Sequence, residues 1–390
     1  MSFNFIKQKR INLFAFLLLF SITGTMISNV FENSAYKLIS YIAEVLLIIY
    51  TLRETLKSEP NILFNKYILC GGFILIFNFF ISPYEPRISL LLKYFGYICC
   101  FGYGFSLAKK KVFPKISNSL LYLIVILPAI VVALFDHTEG KSVFFENSNV
   151  FVFLGISLAL LYVFLRGGSS KENRIAWCIL FLYMGVGTSL GIIVAVCLAF
   201  FIINFSFRNL LLLIILLNLF LLAVFYIDLP VLIRFRDVIA VWQSLSWNDM
   251  LHLQDLDLYS LGNNVDRVGE RSDTTSSIWR LSQWMRLLTE YLSSFLFIPF
   301  GLGADYAIAK TSLPPHNDYL LVLTEYGLIV YLLFMKFVFK VYKCITRKEV
   351  LYFVLAIFCY YITENLLNSF PQNVILYFIL GYSLYGKLKI

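Results

Sequence analysis

Apolar runs of about 20 residues recur from one end of this chain to the other, and that pattern restricts the possible folds more than any single motif. Such a run crosses the hydrocarbon core of a bilayer only as a helix, which pairs its backbone groups internally where no water can reach them. Composition agrees: the 390 residues are 60% hydrophobic and 18% aromatic but only 14% charged, whereas a soluble chain carries roughly 25% charge to cover its surface. The expected fold class is therefore an all-α polytopic membrane protein, with residues 1–390 forming a single integral-membrane domain.

A sliding window places spans near 11–30, 36–52, 65–82, 88–108, 118–135 and 148–165. Further spans follow near 175–188, 189–207, 209–227, 317–338, 350–366 and 371–386, about twelve in all. The first run follows Lys7, Lys9 and Arg10 in the manner of a signal peptide, but no A-x-A site closes it, so it is expected to remain as a signal-anchor span. The seven cysteines lack metal-knuckle spacing and are expected to be small buried hydrophobes, with no metal site.

The net charge of +9 concerns orientation rather than nucleic acid, because Lys and Arg collect in alternate short loops. Arg53, Lys57 and Lys66 fall on one side, as do Lys109, Lys110, Lys111 and Lys115, then Arg166, Lys171 and Arg174, and later Lys340, Lys343, Arg347 and Lys348. The intervening loops are nearly bare. The positive-inside rule then puts both termini in the cytoplasm, provided that the tight pair around Gly185–Gly191 is two spans and not one. This register leaves one large loop, residues 228–315, on the outer face between the ninth and tenth spans. Its Trp242, Trp247, Trp279 and Trp284 argue against disorder, and short amphipathic helices at the membrane surface are expected there.

Within the loop, Ser276-Ser-Ile-Trp-Arg-Leu-Ser-Gln-Trp-Met-Arg-Leu-Leu288 reads as an amphipathic helix, with Arg280 and Trp284 four residues apart on one face. An interfacial helix whose Arg snorkels while its Trp sits at headgroup level gives the same pattern. Pro299-Phe-Gly-Leu-Gly303 is turn-forming, and Pro314-Pro-His-Asn-Asp-Tyr319 brings His316 and Asn317 to the mouth of the tenth span, which also carries Glu325. A carboxylate at the depth of Glu325 is costly unless paired. Glu44, Lys93 and Glu364 are further ionisable groups in spans; Lys93 and Glu364 are expected at the outer interface, and Glu44 has no evident partner.

Taken in order, Arg280-x-x-x-Trp284, Pro299-Phe-Gly-Leu-Gly303, His316-Asn-x-Tyr-Leu and Glu325-x-Gly327 resemble the motifs of the O-antigen polymerase and O-antigen ligase superfamily. The motifs cover residues 280–331, while the plan of about twelve spans with a late outer loop covers the whole chain. The resemblance implies a fold similar to GT-C-like membrane glycosyltransferases in a bacterial inner membrane. It also implies a metal-independent enzyme, without cofactor, that takes a glycan from undecaprenyl pyrophosphate at the periplasmic face. By this resemblance Arg280 holds the pyrophosphate and His316 orients or deprotonates the acceptor hydroxyl. Trp284, Arg267 and Arg271 would bind substrate, while Asn317 and Glu325 would support the His316 segment.

The ligase branch carries an Arg after Thr or Ser two spans before the loop. Here Gly187-Thr-Ser-Leu-Gly191 has none, which favours the polymerase branch. Arg234, Arg236, Arg267 or Arg271 could substitute, or could be solvated charges. Implied partners are lipid-linked glycans, the chain-length regulator and flippase of the O-antigen pathway, and membrane lipids, with no nucleic acid. The alternatives are the ligase that joins glycan to lipid A core, another surface-polysaccharide polymerase, and a lipid-linked oligosaccharide flippase. No Gly-rich phosphate loop, paired His or nucleophile elbow is present in the sequence, which argues against a nucleotide-driven pump or a zinc protease.

Overall fold

A computed structural model describes residues 7–31, 34–58, 61, 66–82, 88–135, 144–145, 148–167, 169–187, 189, 191–228, 236, 239–240, 242–247, 252–253, 276–311 and 315–386. Among the described residues, nine helices precede the large loop: α1 (Asn12–Phe31), α2 (Ser34–Leu56), α3 (Lys66–Ile81), α4 (Ile88–Lys109), α5 (Asn118–Phe135), α6 (Ser148–Arg166), α7 (Ser170–Gly187), α8 (Gly191–Ile203) and α9 (Phe207–Tyr226). Within it lie α10 (Ser276–Ser293) and α11 (Tyr306–Thr311), and after it come α12 (Asp318–Cys344), α13 (Lys348–Tyr360) and α14 (Phe370–Leu384). Each expected span therefore falls on a helix. Among the described helices, five are long and apolar enough to cross a membrane: α1, α4, α5, α6 and α12. In α5, Leu123, Ile126, Ile130 and Leu134 form an exposed apolar stripe at helical spacing, as suits a helix that meets lipid. Arg234, Arg267 and Arg271 lie outside the described residues.

Two short strands depart from the all-α expectation. Lys7–Arg10 (β1) and Val112–Lys115 (β2) pair as a parallel ribbon, Lys7 opposite Val112 and Arg10 opposite Lys115. Four-residue strands with basic side chains and Pro114 leave no alternating apolar pattern for a sequence reading to detect. The cysteines also divide: Cys99, Cys100 and Cys359 are buried as expected, whereas Cys70, Cys178 and Cys197 are exposed on α3, α7 and α8. In lipid an apolar side chain gains little by facing the protein rather than the bilayer, so hydrophobicity alone does not place it inside.

The core is built around α6, whose side chains from Val150 to Phe164 are all buried. Helices α4 and α14 cross against each other at two glycines: a Cβ on Gly104 would overlap the Phe378 carbonyl, and one on Gly381 would overlap that of Phe101. Small residues let backbones approach this closely, which is how helices associate where the hydrophobic effect does not drive them together.

A break in α12 sets the geometry of everything beside it. Gly327, at φ 82° and ψ 172°, interrupts the helix where the apolar pattern predicts one unbroken span. The break frees backbone groups that would be costly if left unpaired. The segment 298–303 pairs with them: Leu302 and Gly303 donate to the carbonyls of Thr324 and Glu325 at 2.8 and 3.2 Å, and Leu328 and Ile329 donate to those of Ile298 and Pro299 at 2.9 and 3.3 Å. Gly301 and Gly303 hold positive φ there, which is why this stretch is glycine-rich.

Candidate functional site

Helix α13 stops at Tyr360, short of the expected end of its span, and residues 361–369 form a turn that leads into α14. The turn is fastened from several directions. Asp318, at the start of α12, is fully buried, and its Oδ2 accepts the backbone N–H groups of Leu366 and Leu367 at 2.7 and 3.0 Å. The Asp318 N–H donates in turn to the Tyr361 carbonyl at 2.8 Å. Asn373 donates to the carbonyls of Leu366, Leu367 and Ser369, and the Tyr97 hydroxyl donates to that of Leu367 at 2.7 Å. Lys93 reaches the Asn368 carbonyl at 3.0 Å, and it is also the electrostatic neighbour of the buried Glu44.

This caged turn presents Glu364, which is buried. Its side chain is only 3% exposed, and each carboxylate oxygen has its own partner: Arg280 Nη2 lies 3.1 Å from Oε1, and His316 Nδ1 lies 3.1 Å from Oε2. A carboxylate so far out of water needs such charge-assisted partners. Arg280 also donates through Nη1 to the Thr363 carbonyl at 3.0 Å. Arg280 and His316 keep 25% and 22% side-chain exposure, so the buried acid underlies two accessible groups.

The two accessible groups arrive from different elements. Helix α10 turns Arg280, Gln283, Trp284 and Leu287 to one face, at the spacing of zero, three, four and seven that its amphipathic pattern requires. The Trp284 indole N–H donates to the Pro315 carbonyl and so fixes the backbone immediately before His316. His316 itself takes φ 49°, a left-handed conformation uncommon for a non-glycine residue. Its ring meets the Trp279 ring edge to face, with centroids 5.7 Å apart. Asn317 then caps α12, its Oδ1 accepting the Leu320 N–H at 3.0 Å.

Glu325 is buried just before the Gly327 break, and its Oε1 accepts the Ala307 N–H at 3.2 Å, which ties α12 to α11. Lys310 of α11 pairs with Glu290 of α10 at 2.7 Å. Burial works to raise the Glu290 carboxyl, but hydrogen bonds from Lys310 and Tyr306 and the charges of Lys310 and Arg286 outweigh it and hold the group below its ordinary value. Arg236 is engaged elsewhere, at the end of α9, where it bonds the Val224 carbonyl and pairs with Asp228 at 3.2 Å.

Of the residues expected at the site, the structure brings Arg280, Trp284, His316 and Asn317 together. Sequence reasoning missed Glu364 as the group that joins them and Asp318 as the anchor beneath. The available signal was an ionisable residue inside an apolar window, which in a membrane points to a partner or a function. The chain matches no protein-family model and no curated protein.

Proposed function

We propose that the protein is an inner-membrane glycosyltransferase of the O-antigen polymerase kind, which moves a growing glycan from undecaprenyl pyrophosphate onto a lipid-linked repeat unit at the periplasmic face. The observation that carries this reading is the meeting of Arg280 and His316 on opposite oxygens of the buried Glu364. In this reading about twelve spans cross the membrane and the loop of residues 228–315 lies outside the cytoplasm.

The chemistry follows from the atoms present. With its proton on Nδ1, His316 donates to Glu364 and keeps a lone pair on Nε2, in the way a carboxylate fixes the tautomer of a catalytic imidazole. Nε2 takes the proton of an acceptor sugar hydroxyl as that oxygen bonds to the anomeric carbon of the donor. The bond from that carbon to the phosphate oxygen breaks, and its electron pair leaves with undecaprenyl pyrophosphate. The second N–H groups on the terminal nitrogens of Arg280 meet the charge growing on the leaving group. The flippase that delivers lipid-linked units and the regulator that sets chain length are the partners this scheme requires.

The test is a lipopolysaccharide gel from a strain lacking the gene. Core bearing a single repeat unit in place of a ladder supports the polymerase. Core without any O-antigen, with long glycan held on the lipid carrier, assigns the ligase reaction instead, and an unchanged ladder overturns both.

A further inference from the structure

Two amides flank the Arg280, Glu364 and His316 cluster in sequence, and neither amide oxygen has a partner among the described residues. Gln283 Oε1 and Asn365 Oδ1 are both sealed from solvent without a hydrogen bond, and so is Arg280 Nε. An orphaned buried polar atom is costly, so each one asks for a physical reason. Gln283 lies between the two contacts α10 makes here, Arg280 to Glu364 and Trp284 to Pro315, and Asn365 follows Glu364 in the caged turn. Both residues are partly exposed as a whole.

We propose that Gln283 and Asn365 read the sugar, their amides turning to hydrogen-bond hydroxyl groups of the glycan whose anomeric carbon lies against Arg280 and His316. This rests on the transferase reading above. A neutral amide offers both an acceptor and donors, which matches hydroxyl groups and gives no advantage with phosphate, the part left to Arg280. The two amides thus separate recognition of the glycan from recognition of the pyrophosphate.

The experiment uses the full chain in lipid nanodiscs and follows Trp fluorescence, since Trp279 and Trp284 both border the site. The probes are undecaprenyl pyrophosphate carrying the repeat unit of the host strain and undecaprenyl pyrophosphate alone. Gln283→Met and Asn365→Leu are expected to weaken binding of the glycan-bearing lipid about tenfold and to leave the bare lipid unchanged. Gln283→Glu, which keeps an acceptor beside Arg280, is expected to retain the preference. Equal weakening for both lipids, or none for either, overturns the inference while leaving the transferase reading intact. Wild-type protein that binds neither lipid overturns both.

Discussion

His316 Nδ1 and Glu364 Oε2 lie 3.1 Å apart although 48 residues separate them in sequence. On the proposed transferase reading the acid holds the imidazole in one tautomer, and Glu364→Gln should damage the reaction without removing the base. An amide still accepts a hydrogen bond but supplies no charge to stabilise the imidazolium. We expect the transfer rate to fall by on the order of 10²–10⁴ with little change in KM, measured on purified protein with lipid-linked repeat units. A rate within about threefold of wild type would remove Glu364 from the mechanism.

Arg280 uses both terminal nitrogens at once, on Glu364 and on the Thr363 carbonyl, while its side chain stays partly open to the outside. Lysine offers one point charge and cannot reproduce that fork. Arg280→Lys should therefore behave nearly as Arg280→Ala, with loss of the polysaccharide ladder and near-normal membrane abundance by immunoblot. A full ladder from the lysine variant would show that charge alone suffices.

Much of this arrangement was legible in the sequence, and the parts that were not share a cause. Apolar length alone pointed to a helix at each expected position, and the four-residue spacing of Arg280 and Trp284 gave the face that α10 turns to the site. The Asn317 cap is likewise local chemistry. The part Glu364 plays was not legible because it depends on where α13 ends, and the apolar run continues past Tyr360 without marking the turn. The pairing of 298–303 with a broken α12 is tertiary, and no periodicity encodes it.

Asp318 should behave in the opposite way to Arg280. It is buried and accepts two backbone N–H groups of the turn that carries Glu364. Asp318→Ala orphans both, at roughly 1–3 kcal/mol each, and should lower the thermal midpoint and the membrane abundance of the protein. Asp318→Asn keeps an acceptor oxygen and should lose less. Equal midpoints for wild type and the alanine variant in a fluorescence-detected melt would refute this.

The Glu290 and Lys310 pair gives a pH signature outside the spans. A carboxyl held low in the folded state contributes stability above its unfolded value of roughly 4.3 and loses it as pH falls through the lowered folded value. Both side chains are partly exposed, so the contribution is about 1 kcal/mol or less. Lys310→Met should lower the melting midpoint slightly near neutral pH, and the difference should vanish as the pH falls through the lowered folded value. A difference that grows as the pH falls would reverse the assignment.

Gly327 tests the broken helix most directly. Its φ of 82° disfavours any side chain, and a Cβ there would overlap the backbone of Phe300, Gly301 and Pro299. Neither the helix break nor segment 298–303 can move without unpairing the other, since each fills the other's hydrogen bonds. Gly327→Ala should therefore cost on the order of 3 kcal/mol and sharply reduce accumulation in the membrane. Gly185→Ala is the matched control, because nothing lies within 4 Å of a Cβ at that position. If Gly327→Ala accumulates and melts as Gly185→Ala does, α12 runs unbroken through this point and segment 298–303 has other partners.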